Sequence, residues 1–118
     1  MDAELQRRFA DVETALDETE REYAQLPFFV RPLVRRGFGK RTGRDFAGWR
    51  ALLADARSGQ RTEELAAALG ALAEHYRGAP ERARRGAGAT AAQLEVVEQR
   101  SRARAEAALA LREGLTTS

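Results

Sequence analysis

Apolar positions in the first part of the chain recur in alternating steps of four and three: Leu5, Phe9, Val12, Leu16, Thr19, Tyr23 and Leu26. That spacing is a heptad seam, and it predicts a helix over 2–25 with one narrow apolar edge. Asp2 and Glu4 suit the positive end of its dipole. Pro27 stops it, because proline lacks the amide hydrogen and disfavours helical geometry in the residue before it. Packing within the chain is the simpler use of the seam. A coiled-coil dimer contact is the sharper one, with Thr19 as its weak place.

The pattern then breaks and resumes. Pro27 and Pro32 exclude one helix through both, and Pro32 suits the first turn of a short helix bearing Leu33 and Val34. Gly37, Gly39 and Gly43 predict a basic glycine loop near 37–43. Thr42 and Asp45 compete to cap the next helix, which runs to Arg57 with Phe46, Trp49, Leu52, Leu53 and Ala56 on one face. Ser58 and Gly59 end it. Thr62 is read as the cap of a helix striped by Leu65, Leu69, Leu72 and Tyr76, closed by Gly78 and Pro80. A short helix over 81–85 precedes a break near 86–88. Thr90 then caps a long helix whose seam (Leu94, Val97, Ser101, Arg104 or Ala105, Ala108, Leu111, Leu115) is poor in bulk, which calls for close packing through small residues or partial exposure. Gly114 is expected to end it, with 114–118 frayed.

No stretch alternates in the manner of a strand. The expected fold is all-α: a single domain over 1–118, an antiparallel bundle of four to five helices, the first and last long and shorter ones between. Phe46, Trp49, Leu52 and Leu53 should anchor its core with Leu65, Leu69 and Leu72.

Composition sharpens this in one respect. Of the hydrophobic residues, 24 are alanine, which favours helix but buries little area. A core so thin suggests a second copy of the chain as a further source of surface, hence an expected homodimer. Without cysteine there is no disulfide and no thiolate metal site. No apolar run has membrane-spanning length and no signal-like start is present, so the cytoplasm is the expected location.

The net charge of +2 conceals a strong segregation. The first helix is acidic, whereas the stretch from Pro27 to Arg44 contains Arg31, Arg35, Arg36, Lys40, Arg41 and Arg44 and no acid. Together with Phe38 these are the candidate residues for binding an anion or a partner. Three uses are open to them. The patch can meet the acidic first helix, in cis or from another subunit, and so serve assembly. It can contact nucleic-acid phosphates, with an exposed Phe38 stacking on bases. Phe28, Phe29, Val30 and Leu33 beside the arginines can also touch a membrane surface, the reading least favoured because two prolines spoil the amphipathic helix and the core needs the aromatics.

Other chemistry finds little footing. His75 is the only histidine; in the last turn of its helix it is read as a helix-end or packing residue, and the glutamate of a di-metal Glu-x-x-His pair is replaced by Leu72. Ser58, Ser101 and Ser118 have no base nearby in the chain. The loop around Gly39-Lys40 departs from a phosphate-binding P-loop, with Val34 at the first glycine and Arg41 after the lysine, but its exposed amides, Lys40, Arg41, Arg44 and the start of the next helix together suggest an anion cradle. The expectation is therefore a non-enzymatic interaction or assembly protein without metal or cofactor. Its partner would be a second copy or another protein, with nucleic acid as the alternative and a membrane disfavoured.

Overall fold

Asp2 begins the first helix by accepting a hydrogen bond from the Leu5 amide at 2.7 Å. In the computed structural model, which describes residues 1–86 and 88–117, that helix, α1, spans Ala3–Ala24. It is followed by α2 (Arg31–Thr42), α3 (Phe46–Arg57), α4 (Thr62–Arg77), α5 (Ala79–Arg85) and α6 (Ala91–Thr116). The described residues contain no strand, so the chain is all-helical, with its longest helices first and last.

Side-chain pairings give the directions. Arg8 of α1 reaches the Ala110 carbonyl at 2.9 Å and Glu22 pairs with Arg104, so α1 and α6 are antiparallel. Glu13 pairs with Arg57 and Glu20 with Arg50, which makes α3 antiparallel to α1 as well. Helix α4 packs along α6 over the longest interface. The small residues Ser101, Ala105 and Ala108 are buried on α6, as its seam requires.

The core collects the bulky side chains. Phe9, Val12 and Leu16 from α1 meet Phe46, Trp49, Leu52 and Leu53 from α3, and all are buried. Leu65, Leu69 and Leu72 of α4 complete it. Two threonines serve the polar tips of buried aromatic rings. Thr42 Oγ1 accepts the Trp49 indole N–H at 2.9 Å and donates to the Phe38 carbonyl. Thr19 Oγ1 lies 2.8 Å from the Tyr76 hydroxyl and donates to the Ala15 carbonyl.

Several expectations are corrected. The glycine loop near 37–43 is helix through Thr42, and only Gly43, at φ 85°, leaves it as a left-handed cap. Burial of Phe38 against the core outweighs the propensity lost at Gly37 and Gly39, roughly 1 kcal/mol each. Thr42 is thus a buried last-turn residue, and Asp45 alone caps α3 by accepting the Gly48 amide at 2.8 Å. Thr62 is the first residue of α4, and Arg61, left-handed at φ 60°, precedes it as the cap. Gly114 does not end α6. A Cβ there would lie 3.0 Å from Leu5 Cδ1, so this glycine lets α1 and α6 approach, and the helix continues to Thr116. The expected break near 86–88 falls between α5 and α6, with Ala87 outside the described residues, as is Ser118 of the expected frayed end.

Trp49 is the ring on which α2, α3 and the core converge. Trp49→Ala is expected to cost about 3–5 kcal/mol in denaturant unfolding. Thr42→Val, which strands the indole N–H, should cost about 1–3 kcal/mol. A change near zero for both would mean the ring is not held as described.

Candidate functional site

The six cations and Phe38 of the basic segment do not form one site. Phe38 is fully buried, stacked on Phe46 at 4.1 Å between ring centres, with His75 edge-on at 5.0 Å. An exposed stacking or wedging Phe38 is therefore excluded; one helical turn after Val34, its position faces the core. The expected anion cradle at the glycine loop is also absent, because those amides belong to a helix and the start of α3 is filled by the Asp45 carboxylate.

The cations divide by helix face. Arg31 Nε donates to the Leu26 carbonyl at 2.7 Å, tying the start of α2 to the end of α1. Arg35 pairs with Glu20 at 3.3 Å and lies over the Phe46 ring. Arg44 pairs with Glu64 at 2.6 Å and lies over Trp49. Arg41 turns toward α4 and donates to His75 Nδ1 at 3.1 Å. Arg36 and Lys40 are exposed and have no ion pair among the described residues.

The acidic first helix is neutralised within the chain, chiefly by arginines outside that segment. Arg57 holds Glu13 through two bonds of 2.6 and 3.1 Å. Arg50 pairs with Asp17 at 3.0 Å and Glu20 at 2.5 Å, and holds the Glu20 carboxyl below its ordinary pKa. Arg104, with only 11% of its side chain exposed, grips Glu22 through two bonds of 2.6 and 3.0 Å. In cis, then, the acidic helix does meet basic partners, but only Arg35 comes from the predicted set.

Two features lie outside the predicted set of site residues. The first is an apolar corner at the junction of α1 and α2. Phe28, Phe29 and Leu33 are 78%, 67% and 65% exposed, the highest values among the large hydrophobic side chains described. Phe28 and Phe29 brace each other edge to face at 5.7 Å. The need of a thin core for aromatics argues that these rings lie inside; the signal against it is their position between Pro27 and Pro32, off the period of either flanking helix.

The second is His75. It is buried in the last turn of α4, where Arg41 and Arg82 approach the same Nδ1 atom at 3.1 and 3.4 Å. Because Nδ1 accepts, the ring is neutral and carries its proton on Nε2. Burial first, then the charges of Arg82 and Arg41, push its pKa down to about 3. Position alone suggests a helix-end imidazolium favoured by the dipole, and the two guanidiniums rule that out. Among the described residues no group of three or more His, Cys, Asp or Glu is placed to hold a metal ion, and no helix is long and apolar enough to cross a membrane. No family model, curated protein or solved structure matches this chain.

The histidine yields a pH prediction. Its folded-state pKa lies below the ordinary 6.5, so between about 3 and 6.5 the unfolded chain binds the extra proton. The associated stability is complete above about pH 6.5 and is lost as pH falls toward 3. Between neutral pH and about pH 5, the urea midpoint should fall more for the parent than for His75→Gln. The single histidine Cε1–H resonance of the folded protein should not move over that range; a ring titrating at its ordinary value would refute the neutral, buried state.

Proposed function

We propose that the protein is a non-catalytic interaction module that docks through the corner joining α1 and α2 onto a protein partner offering an apolar pocket with an acidic rim. The observation that supports this reading is the concentration of the three most exposed bulky apolar side chains within residues 28–33. Folded proteins rarely expose such a cluster without a use for it, and aromatic anchors beside arginine are the usual make-up of an interface centre. Leu33, Arg36 and Lys40 follow at helical steps of three and four, so one outer face of α2 runs from apolar to basic.

Charge selects the occupant. The stretch from Pro27 to Arg44 has no acid, and Glu20 is engaged by Arg35 and Arg50. Two copies meeting symmetrically through this corner would set Arg36 and Lys40 of one against those of the other, so the corner favours a different, acidic partner over a homodimer. The core around Trp49 closes within one chain, which weakens the case for a second copy made from its thinness. Nucleic acid remains the second reading, with Phe28 and Phe29 in place of Phe38 as stacking rings beside the free cations.

A photo-crosslinking residue in place of Phe29, followed by mass spectrometry, should identify the partner. Binding of that purified partner is expected to weaken about tenfold or more in Phe28→Ser with Phe29→Ser. Arg36→Glu with Lys40→Glu should weaken it and flatten its salt dependence. Stability should change by no more than about 0.5 kcal/mol, since these side chains are exposed. A partner bound equally by parent and both variants overturns the reading. So does a corner that engages only single-stranded nucleic acid, only anionic vesicles, or only a second copy of the chain.

A further inference from the structure

We infer that Arg41 and Arg82, drawn together on His75, form a binding site for a single tetrahedral oxyanion of the phosphate class. The inference is independent of the apolar corner. Arg41 comes from α2, Arg82 from α5 and His75 from α4, so three helices bring two like charges to one imidazole nitrogen. Arg82 is also fixed by a 2.7 Å bond from Nη2 to the His75 carbonyl. Neither arginine has a carboxylate within ion-pair distance among the described residues, although most arginines of this chain do. Both guanidinium charges also bear on the phenol of Tyr23.

Beside them is a narrow cleft of about 100 Å³, lined in part by Tyr23, His75, Arg82 and Arg100. Its one carboxylate, Glu22, is already held by Arg104 at 2.6 Å and by Arg100 at 3.6 Å. What remains without a carboxylate is a set of donors and positive charge: the Arg82 guanidinium in the lining and, outside it, that of Arg41, which also hydrogen-bonds the Tyr23 hydroxyl. Such a set is completed by an oxyanion, which accepts charge-assisted bonds from planar guanidiniums. The space admits one phosphoryl group and is too small for a nucleotide.

The glycines under the two arginines support a built site. A Cβ on Gly37 would lie 3.0 Å from both Arg41 Nη atoms, and one on Gly78 would lie 2.8 Å from Arg82 Nη1. Neither glycine has a positive φ; Gly37 is inside α2 and Gly78 has φ −81°. The backbone gives no reason for glycine at either place. What lies against the bare backbone at each is an arginine's terminal Nη atoms. A pair of like charges with no carboxylate at hand opposes folding until an anion arrives, so the site trades stability for binding.

Inorganic phosphate, titrated against the full chain at constant ionic strength with chloride as reference, should raise the melting temperature and shift the Arg41 and Arg82 Nε–H resonances. Arg41→Gln and Arg82→Gln should each weaken phosphate binding about tenfold or more. Gly78→Ala should weaken it too, by displacing Arg82. Without phosphate, Arg82→Gln should melt no lower than the parent, a result that a purely structural arginine would not give. O-phosphoserine in parallel distinguishes a free from an esterified phosphoryl source. Phosphate acting no differently from chloride, equal binding by both glutamine variants, or an Arg82→Gln that melts well below the parent in phosphate-free buffer overturns the site.

Discussion

The scarcity of large apolar side chains governs this molecule. With 24 alanines among its hydrophobic residues, the chain closes its core only by turning Phe38, Phe46 and Trp49 inward together and backing them with leucines of α3 and α4. That demand sets the rotation of α2. With Phe38 and Thr42 facing in, residues at the opposite phase, Leu33, Arg36 and Lys40, must face out. Core closure and the exposed apolar–basic face are thus one consequence of a single helix orientation. In so economical a core, two phenylalanines left in solvent stand out: burying either would be worth about 1.5–3 kcal/mol, and the fold forgoes both.

Two buried threonines show how the core tolerates polarity. Each donates to the carbonyl four residues earlier and leaves its oxygen free to receive the polar tip of an aromatic ring: Tyr76 for Thr19, Trp49 for Thr42. An aliphatic residue in place of Thr42 would keep the packing and orphan the Trp49 indole N–H, whereas the Tyr76 hydroxyl also reaches the Ala15 carbonyl at 3.3 Å. Thr19 is the weak place in the heptad seam of α1 when that seam is read alone. In the fold it is the point at which α1 registers against α4. Burial raises the Tyr76 phenol to a pKa of about 12, and the bond to Thr19 opposes that rise only in part.

What was legible followed from local pattern. The seam of α1, the apolar face of α3, the leucine stripe of α4 and the Thr90 cap could each be read within one or two turns of chain, and each is present. Helix α2 was illegible because its local signals point the wrong way. Gly37, Gly39, two prolines nearby and a run of cations argue for a loop, and contacts from Tyr23, Phe46 and His75 to Phe38 outweigh them. The candidate site suffered likewise. Counting charges located the cations correctly but could not say which had partners, since Arg44 finds Glu64 and Arg35 finds Glu20 only through the fold.

The division of those cations is the more general point. Consecutive residues on a helix point about 100° apart, so a dense basic run must spread around the cylinder. Lys40 faces solvent while Arg41 turns to His75 on α4, one residue away. The ion pairs made by other members of the run are mostly exposed, and such pairs contribute only about 0–1 kcal/mol each. Their larger effect is subtraction. By occupying Glu20, Glu22 and Glu64, the paired arginines leave Arg36 and Lys40 without a counterion on one side and Arg41 with Arg82 without one on the other. A patch that is single in sequence resolves into two unneutralised groups of cations: one bordered by exposed phenyl rings, and one gathered on a buried imidazole.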